Sequence, residues 1–172
     1  TEIYTFPTRR SSDLSNSLNL YDFDDIIVSL DTHDKFDIAH PSWWTNENGE
    51  HPLPFTKITA SDVYQEIWKP VEEDKFWYAY DYLNALSENQ KYTHIIWPEH
   101  CIKDTMGQKI HPVLDKELKI WENKHSKNVI FIEKGKNPLT EHYSLFKAEI
   151  PIEEDLETQV NIELMDRISS YD

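Results

Sequence analysis

The sequence predicts an α/β domain of three layers, with helices on both faces of a mainly parallel sheet. Three observations predict it. Short apolar runs rich in β-branched residues lie at 25–30 (DIIVSL), 93–97 (THIIW) and 128–133 (NVIFIE). Runs that are apolar throughout suit strands buried on both faces, as parallel strands are. Segments with helical spacing separate the runs, and strand–helix alternation is the pattern of helix-covered parallel sheets.

The elements follow in order. Residues 1–14 (TEIYTFPTRRSSDL) carry two Arg in an acidic chain and show neither period. The string resembles a translated sequencing adapter and is expected to be an artefactual tail. The domain proper is expected over 15–172, with 25–30 as its first buried strand. Residues 41–70 hold Pro41, Pro52, Pro54, Pro70 and an ENGEHP turn around Gly49. They read as a long irregular insert, with a short helix near 60–67, of the kind that forms functional lids. A helix near 72–89 has Phe76, Tyr80 and Leu83 on one face, and 93–97 follows as the second strand. A helix over 112–125 aligns Val113, Leu114, Leu118 and Trp121, and 128–133 is the third strand. The last segment, 155–170, places Leu156, Val160, Leu164 and Ile168 at spacing four, which is one helix face. The chain stops just after it, where an alternating fold would continue with a strand. The domain is therefore expected to be incomplete at both ends.

Composition bounds the function. At 172 residues the chain fits one domain and can hide roughly 70% of its unfolded surface. Six Trp, nine Tyr and seven Phe are too many for a disordered segment. Seventeen basic against 32 acidic residues give a net charge of −15. Such a surface repels phosphate backbones and anionic lipid, so nucleic-acid and membrane partners are not expected. One cysteine, Cys101, excludes a disulfide framework. With no apolar run of membrane-spanning length and no apolar leader region, the expected location is the cytoplasm.

The chemistry gathers at strand ends. In open α/β sheets, ligands bind beyond the carboxyl ends of the strands. The first run leads into Asp31-Thr32-His33, the second into Pro98-Glu99-His100-Cys101, and the third into Lys134-Gly135. An acid, two histidines and a lysine thus converge on one rim. An Asp-x-His pair joined by a third ligand from a neighbouring strand is the pattern of an open, catalytic metal site. A lone Asp-x-His is more often a cap and a hydrogen-bonded histidine; His100 and Lys134 raise the case.

Three segments carry a resemblance. DTHDKFDIAHPSWW, WPEHCIKDTMGQKIHPVL and FIEKG followed by YSLF resemble, in order and spacing, the metal loop, the ligand-histidine segment and the lysine segment of the isochorismatase-like cysteine hydrolases, nicotinamidase branch. The likeness covers nearly all of 18–172 and implies that family's Rossmann-like hydrolase fold. It implies that Asp31, His33 and His100 bind one divalent ion (Zn, Fe or Mn). It makes His40 a fourth ligand or an outer neighbour, Trp97 a stacking surface for the substrate ring, and Lys134 the triad lysine. The implied reaction is hydrolysis of a small aromatic amide, nicotinamide to nicotinate and ammonia. A thiolate attacks the amide carbon, ammonia leaves, and water releases the acid from the thioester. The lysine charge favours the thiolate. A homo-oligomer stays open.

The sequence also departs from that pattern. The triad Asp and the nucleophilic Cys have no counterpart in these residues. Cys101 matches the cysteine that follows the ligand histidine, and it is expected to face away from the metal. Glu141 and His142 lie in a stretch that can touch the site, but helix-face or surface positions are expected for both. Two alternatives follow: a non-catalytic, metal-holding module of the same fold, or a cysteine hydrolase of another small amide. Ether hydrolysis of isochorismatase type is disfavoured, because that branch does not need the metal ligands.

Overall fold

A computed structural model describes residues 2–3, 18, 22–89 and 91–171. Its centre is a parallel sheet of strands β1 (Glu2–Ile3), β2 (Ile27–Asp31) and β7 (Ile130–Lys134), in the order β1-β2-β7. Of the expected tail, Glu2 and Ile3 pair with Ile27 and Val28; residues 1 and 4–14 lie outside the described residues. The β2–β7 register runs from Ile27 opposite Ile130 to Asp31 opposite Lys134. Both strands sit within a residue or two of their expected bounds.

Alternation along β2 sends neighbours to opposite faces. Val28 joins Leu114, Leu118 and Trp121 of helix α3 (Pro112–His125), which has the expected bounds. Ile27 joins Leu145 and Leu164, the latter on helix α4 (Ile162–Ser169). The expected helix over 155–170 is interrupted. A 3-10 turn spans Leu156–Thr158, and Asn161 starts α4 by accepting the Leu164 N–H on its side-chain oxygen at 3.0 Å. Asn favours such caps because it competes for backbone bonds better outside a helix than within one.

The 93–97 run departs from expectation. Strand β6 (His94–Ile95) pairs antiparallel with β4 (Lys57–Ile58) and does not join the parallel sheet. The insert supplies its partner: Phe55 N–H donates to the Ile96 carbonyl at 2.5 Å, and Ile96 N–H donates to the Thr56 carbonyl at 2.9 Å. On its other side the Trp97 N–H reaches the Ala39 carbonyl at 2.8 Å, so the run is held beside the segment that leaves β2.

The insert is well packed. Strands β3 (Trp44–Thr45) and β5 (Lys69–Pro70) form a two-stranded ladder. Trp43, Trp44, Ile58 and Val63 bury themselves against Ala79, Leu83 and Leu86 of helix α2 (Phe76–Glu88). The short helix α1 (Ala60–Tyr64) is fixed by a capping box. Thr59 Oγ1 accepts the Asp62 N–H at 3.2 Å, and Asp62 Oδ2 accepts the Thr59 N–H at 2.8 Å. Thr59→Ala should lower stability by about 1 kcal/mol, read as a lower urea midpoint with unchanged slope. Among the described residues no helix is long and apolar enough to cross a membrane.

Candidate functional site

The rim at the carboxyl ends of β2 and β7 follows from their register. Directly opposed residues of parallel neighbours share a face, so Asp31 and Lys134 meet, and the Lys134 ammonium pairs with Asp31 Oδ1. Lys134 is only 9% exposed. Its second partner is the His142 carbonyl at 2.9 Å. A buried ammonium needs such partners to offset lost hydration.

Three imidazoles stand beside this pair. His33 leaves β2 one residue past Thr32, whose N–H donates to the Lys134 carbonyl at 2.9 Å. The His33 ring lies 4.7 Å from His100 and 5.5 Å from His40 between centroids, and His40 lies 5.3 Å from His100. Gly135 makes room for it. Its φ is +78°, and a Cβ there would come within 3.0 Å of His33 Cε1. Only glycine satisfies both demands without strain.

Each ring turns its Nδ1 to an oxygen. His33 Nδ1 donates to Asp37 Oδ2 at 3.1 Å, His40 Nδ1 to the Lys35 carbonyl at 3.3 Å, and His100 Nδ1 to the Pro98 carbonyl at 2.9 Å. His40 Nε2 also lies 3.3 Å from His100 Nδ1. With Nδ1 carrying the proton, every Nε2 keeps a lone pair. Burial depresses His40 and His100 below the ordinary imidazole range, which keeps them neutral. Burial also acts against a charged His33, but the Asp37 hydrogen bond and charge outweigh it and raise that ring's pKa.

This donor set suits a divalent ion in its chemistry. An outer oxygen on Nδ1 that fixes the tautomer is what metal-binding histidines usually have. Among the described residues, however, no three His, Cys, Asp or Glu side chains are drawn together into a finished ion cage. Of the expected ligands, His33 and His100 come together with His40, which is fully buried, and Asp31 pairs with Lys134 while its charge still acts on both the His33 and His100 rings.

Sequence reasoning missed Asp37 and ranked Glu141 as more surface than site. Asp37 is 1% exposed, and besides His33 it accepts the Ala39 N–H at 2.9 Å. Its spacing of four from His33 was the available signal. Glu141, expected on the surface, is 3% exposed. Burial and the nearby Asp37 charge push its carboxyl up to about 8. Glu141 N–H donates to Tyr82 Oη at 3.1 Å, and Tyr143 Oη donates to Glu141 Oε1 at 3.4 Å. His142 is half-buried, and its Nδ1 accepts the Gly135 N–H at 3.4 Å.

Trp97 is half-buried, and its Nε1–H donates to Tyr143 Oη at 2.9 Å. Cys101 adopts a left-handed φ of +48°, and its carbonyl accepts the His33 N–H at 3.0 Å. Burial, then the Asp31 charge, pushes its thiol above the ordinary range.

Two solved structures share this fold. The yeast nicotinamidase Pnc1p superposes with a TM-score of 0.53 at 17% identity, over 91% of this chain and 57% of that one. A nicotinamidase–pyrazinamidase from Acinetobacter baumanii gives 0.52 at 16% identity, over 91% of this chain and 52% of that one. The chain therefore spans just over half the length of each. No family model and no curated protein matches the sequence.

Proposed function

We propose that this chain carries one wall of an amide-hydrolase site of nicotinamidase type, within a three-layer α/β/α architecture. The overall reaction is hydrolysis of a small aromatic amide to its acid and ammonia. The carrying observation is the rim itself: a buried lysine ion-paired with Asp31 at the carboxyl ends of β2 and β7, with the rings of His33, His40 and His100 gathered near it. The likeness of fold to the two nicotinamidases supports the reading.

His33, His40 and His100 would hold a divalent ion, which when bound supplies a Lewis acid toward a ring nitrogen or a water. The set takes His33 and His100 from the ligands that the sequence resemblance implies and adds His40; Asp31, the third of those ligands, pairs with Lys134 at the edge of the group. Asp37 holds the His33 proton at Nδ1. Lys134, steadied by Asp31 and the His142 carbonyl, places a positive charge at the rim, where it favours a thiolate over a thiol. Trp97 offers a face for the substrate ring.

A second reading has its own observation. Cys101 is the only cysteine of the 172 residues, and its surroundings disfavour the thiolate. Taken alone, the chain then acts as a metal-holding binding module. Both readings expect the zinc-loaded chain to bind nicotinamide, with binding lost on chelation and in His100→Ala. Taken alone, the chain should release no ammonia, since it lacks a thiolate nucleophile. Calorimetry showing no metal-dependent nicotinamide binding would remove the site assignment. Ammonia release abolished by Cys101→Ser would overturn the placement of the nucleophile.

A further inference from the structure

The turn at 53–56 does something a solvent-facing turn rarely does. Phe55 has a φ of +71°, a conformation that bulky residues seldom adopt and that costs free energy. Its N–H on the Ile96 carbonyl at 2.5 Å, and the Thr56 N–H on the Leu53 carbonyl at 3.1 Å, hold it there. The strain yields no burial: Phe55 is 65% exposed and Leu53 is 77% exposed.

The Phe55 ring meets Trp97 at 5.9 Å between centroids and 85° between planes. Trp97 is itself pinned at its Nε1 by Tyr143 and at its N–H by Ala39, the residue before His40. It lies three residues before His100, and Tyr143, its Nε1 partner, donates to Glu141. Two rings at right angles make a corner. A third planar ring can lie flat on one and edge-on to the other, which are the two arrangements that aromatic pairs prefer.

We propose that Phe55 and Trp97 form the outer corner of the substrate slot. Phe55 is then a specificity-determining residue that selects planar aromatic amides over aliphatic ones. The inference rests on the amide-hydrolase reading above and adds to it a residue from the insert. The positive φ fits this role, because it turns the side chain out of the insert's own core and toward Trp97.

The test is calorimetric titration of the zinc-loaded chain with nicotinamide and with acetamide, a ringless amide. Wild type should prefer nicotinamide. Phe55→Ala and Phe55→Gly should each bind nicotinamide about fivefold more weakly and lose that much preference, as expected for one aromatic contact. Phe55→Tyr, which keeps the ring, should bind as wild type does. Glycine adopts the left-handed conformation freely, so agreement of the Ala and Gly variants assigns the loss to the ring. Unchanged nicotinamide affinity in both variants would overturn the corner and leave the hydrolase reading standing. No nicotinamide binding by wild type would overturn both.

Discussion

Glu141→Gln is expected to stabilise the metal-free chain at pH 8.5 by a few kcal/mol and to change little at pH 5. In the folded protein this carboxyl holds its proton up to about 8, against an ordinary value of 4.5. Between those values the folded state binds more protons than the unfolded state. Stability therefore falls as pH rises from about 4.5 to about 8. Above that window wild type carries a buried charge beside Asp37, whereas glutamine stays neutral and can still accept from Tyr143. The full difference is on the order of 3 kcal/mol, measured by urea unfolding in chelator at the two pH values. A variant that gains as much at pH 5 as at pH 8.5 would show that Glu141 is already ionised throughout.

The second large effect lies in the insert. Trp44 is fully buried, packs against Trp43 at 4.6 Å and His94 at 5.8 Å, and donates its Nε1–H to the Ile38 carbonyl at 2.7 Å. His94 Nε2 donates to the same carbonyl at 2.9 Å. Together they fix the backbone between Asp37 and His40, so core packing positions the site. Trp44→Ala should cost about 3–5 kcal/mol, the usual range for emptying a Trp-sized core position. That is a large share of a typical domain's stability. Trp44→Phe should cost clearly less, because most of the packed area stays and His94 still satisfies the carbonyl. An alanine variant within about 1 kcal/mol of wild type would mean that the insert is not part of the cooperative fold.

The sequence showed some of this and not the rest, for physical reasons. Strands β2 and β7 were legible because their runs are continuously apolar and β-branched, and helix α3 because Leu114, Leu118 and Trp121 follow one helical period. The 93–97 run was legible as a strand but not in its pairing, because its partner, Lys57–Ile58, is only two residues long and has no period of its own. Trp43 and Trp44 lie in a Pro-rich stretch without periodicity, so their burial could not be read from spacing. At the site, the gathering of Lys134, His33 and His100 in one region was legible from their positions after strand ends. The fate of Asp31 was not, because its pairing with Lys134 depends on a register that only strand pairing reveals. Glu141 was misplaced because a carboxylate in a loop is ordinarily solvated, and only the tertiary fold encloses it.

We propose that His33, His40 and His100 form one metal-binding group while Asp31 pairs with Lys134. This is tested most directly by zinc content per chain after dialysis, measured by elemental analysis on wild type and four variants. About one ion is expected in wild type, most of it lost in His33→Ala, His40→Ala and His100→Ala, and most of it kept in Asp31→Asn. Zinc content in His100→Ala equal to that of wild type would contradict the account.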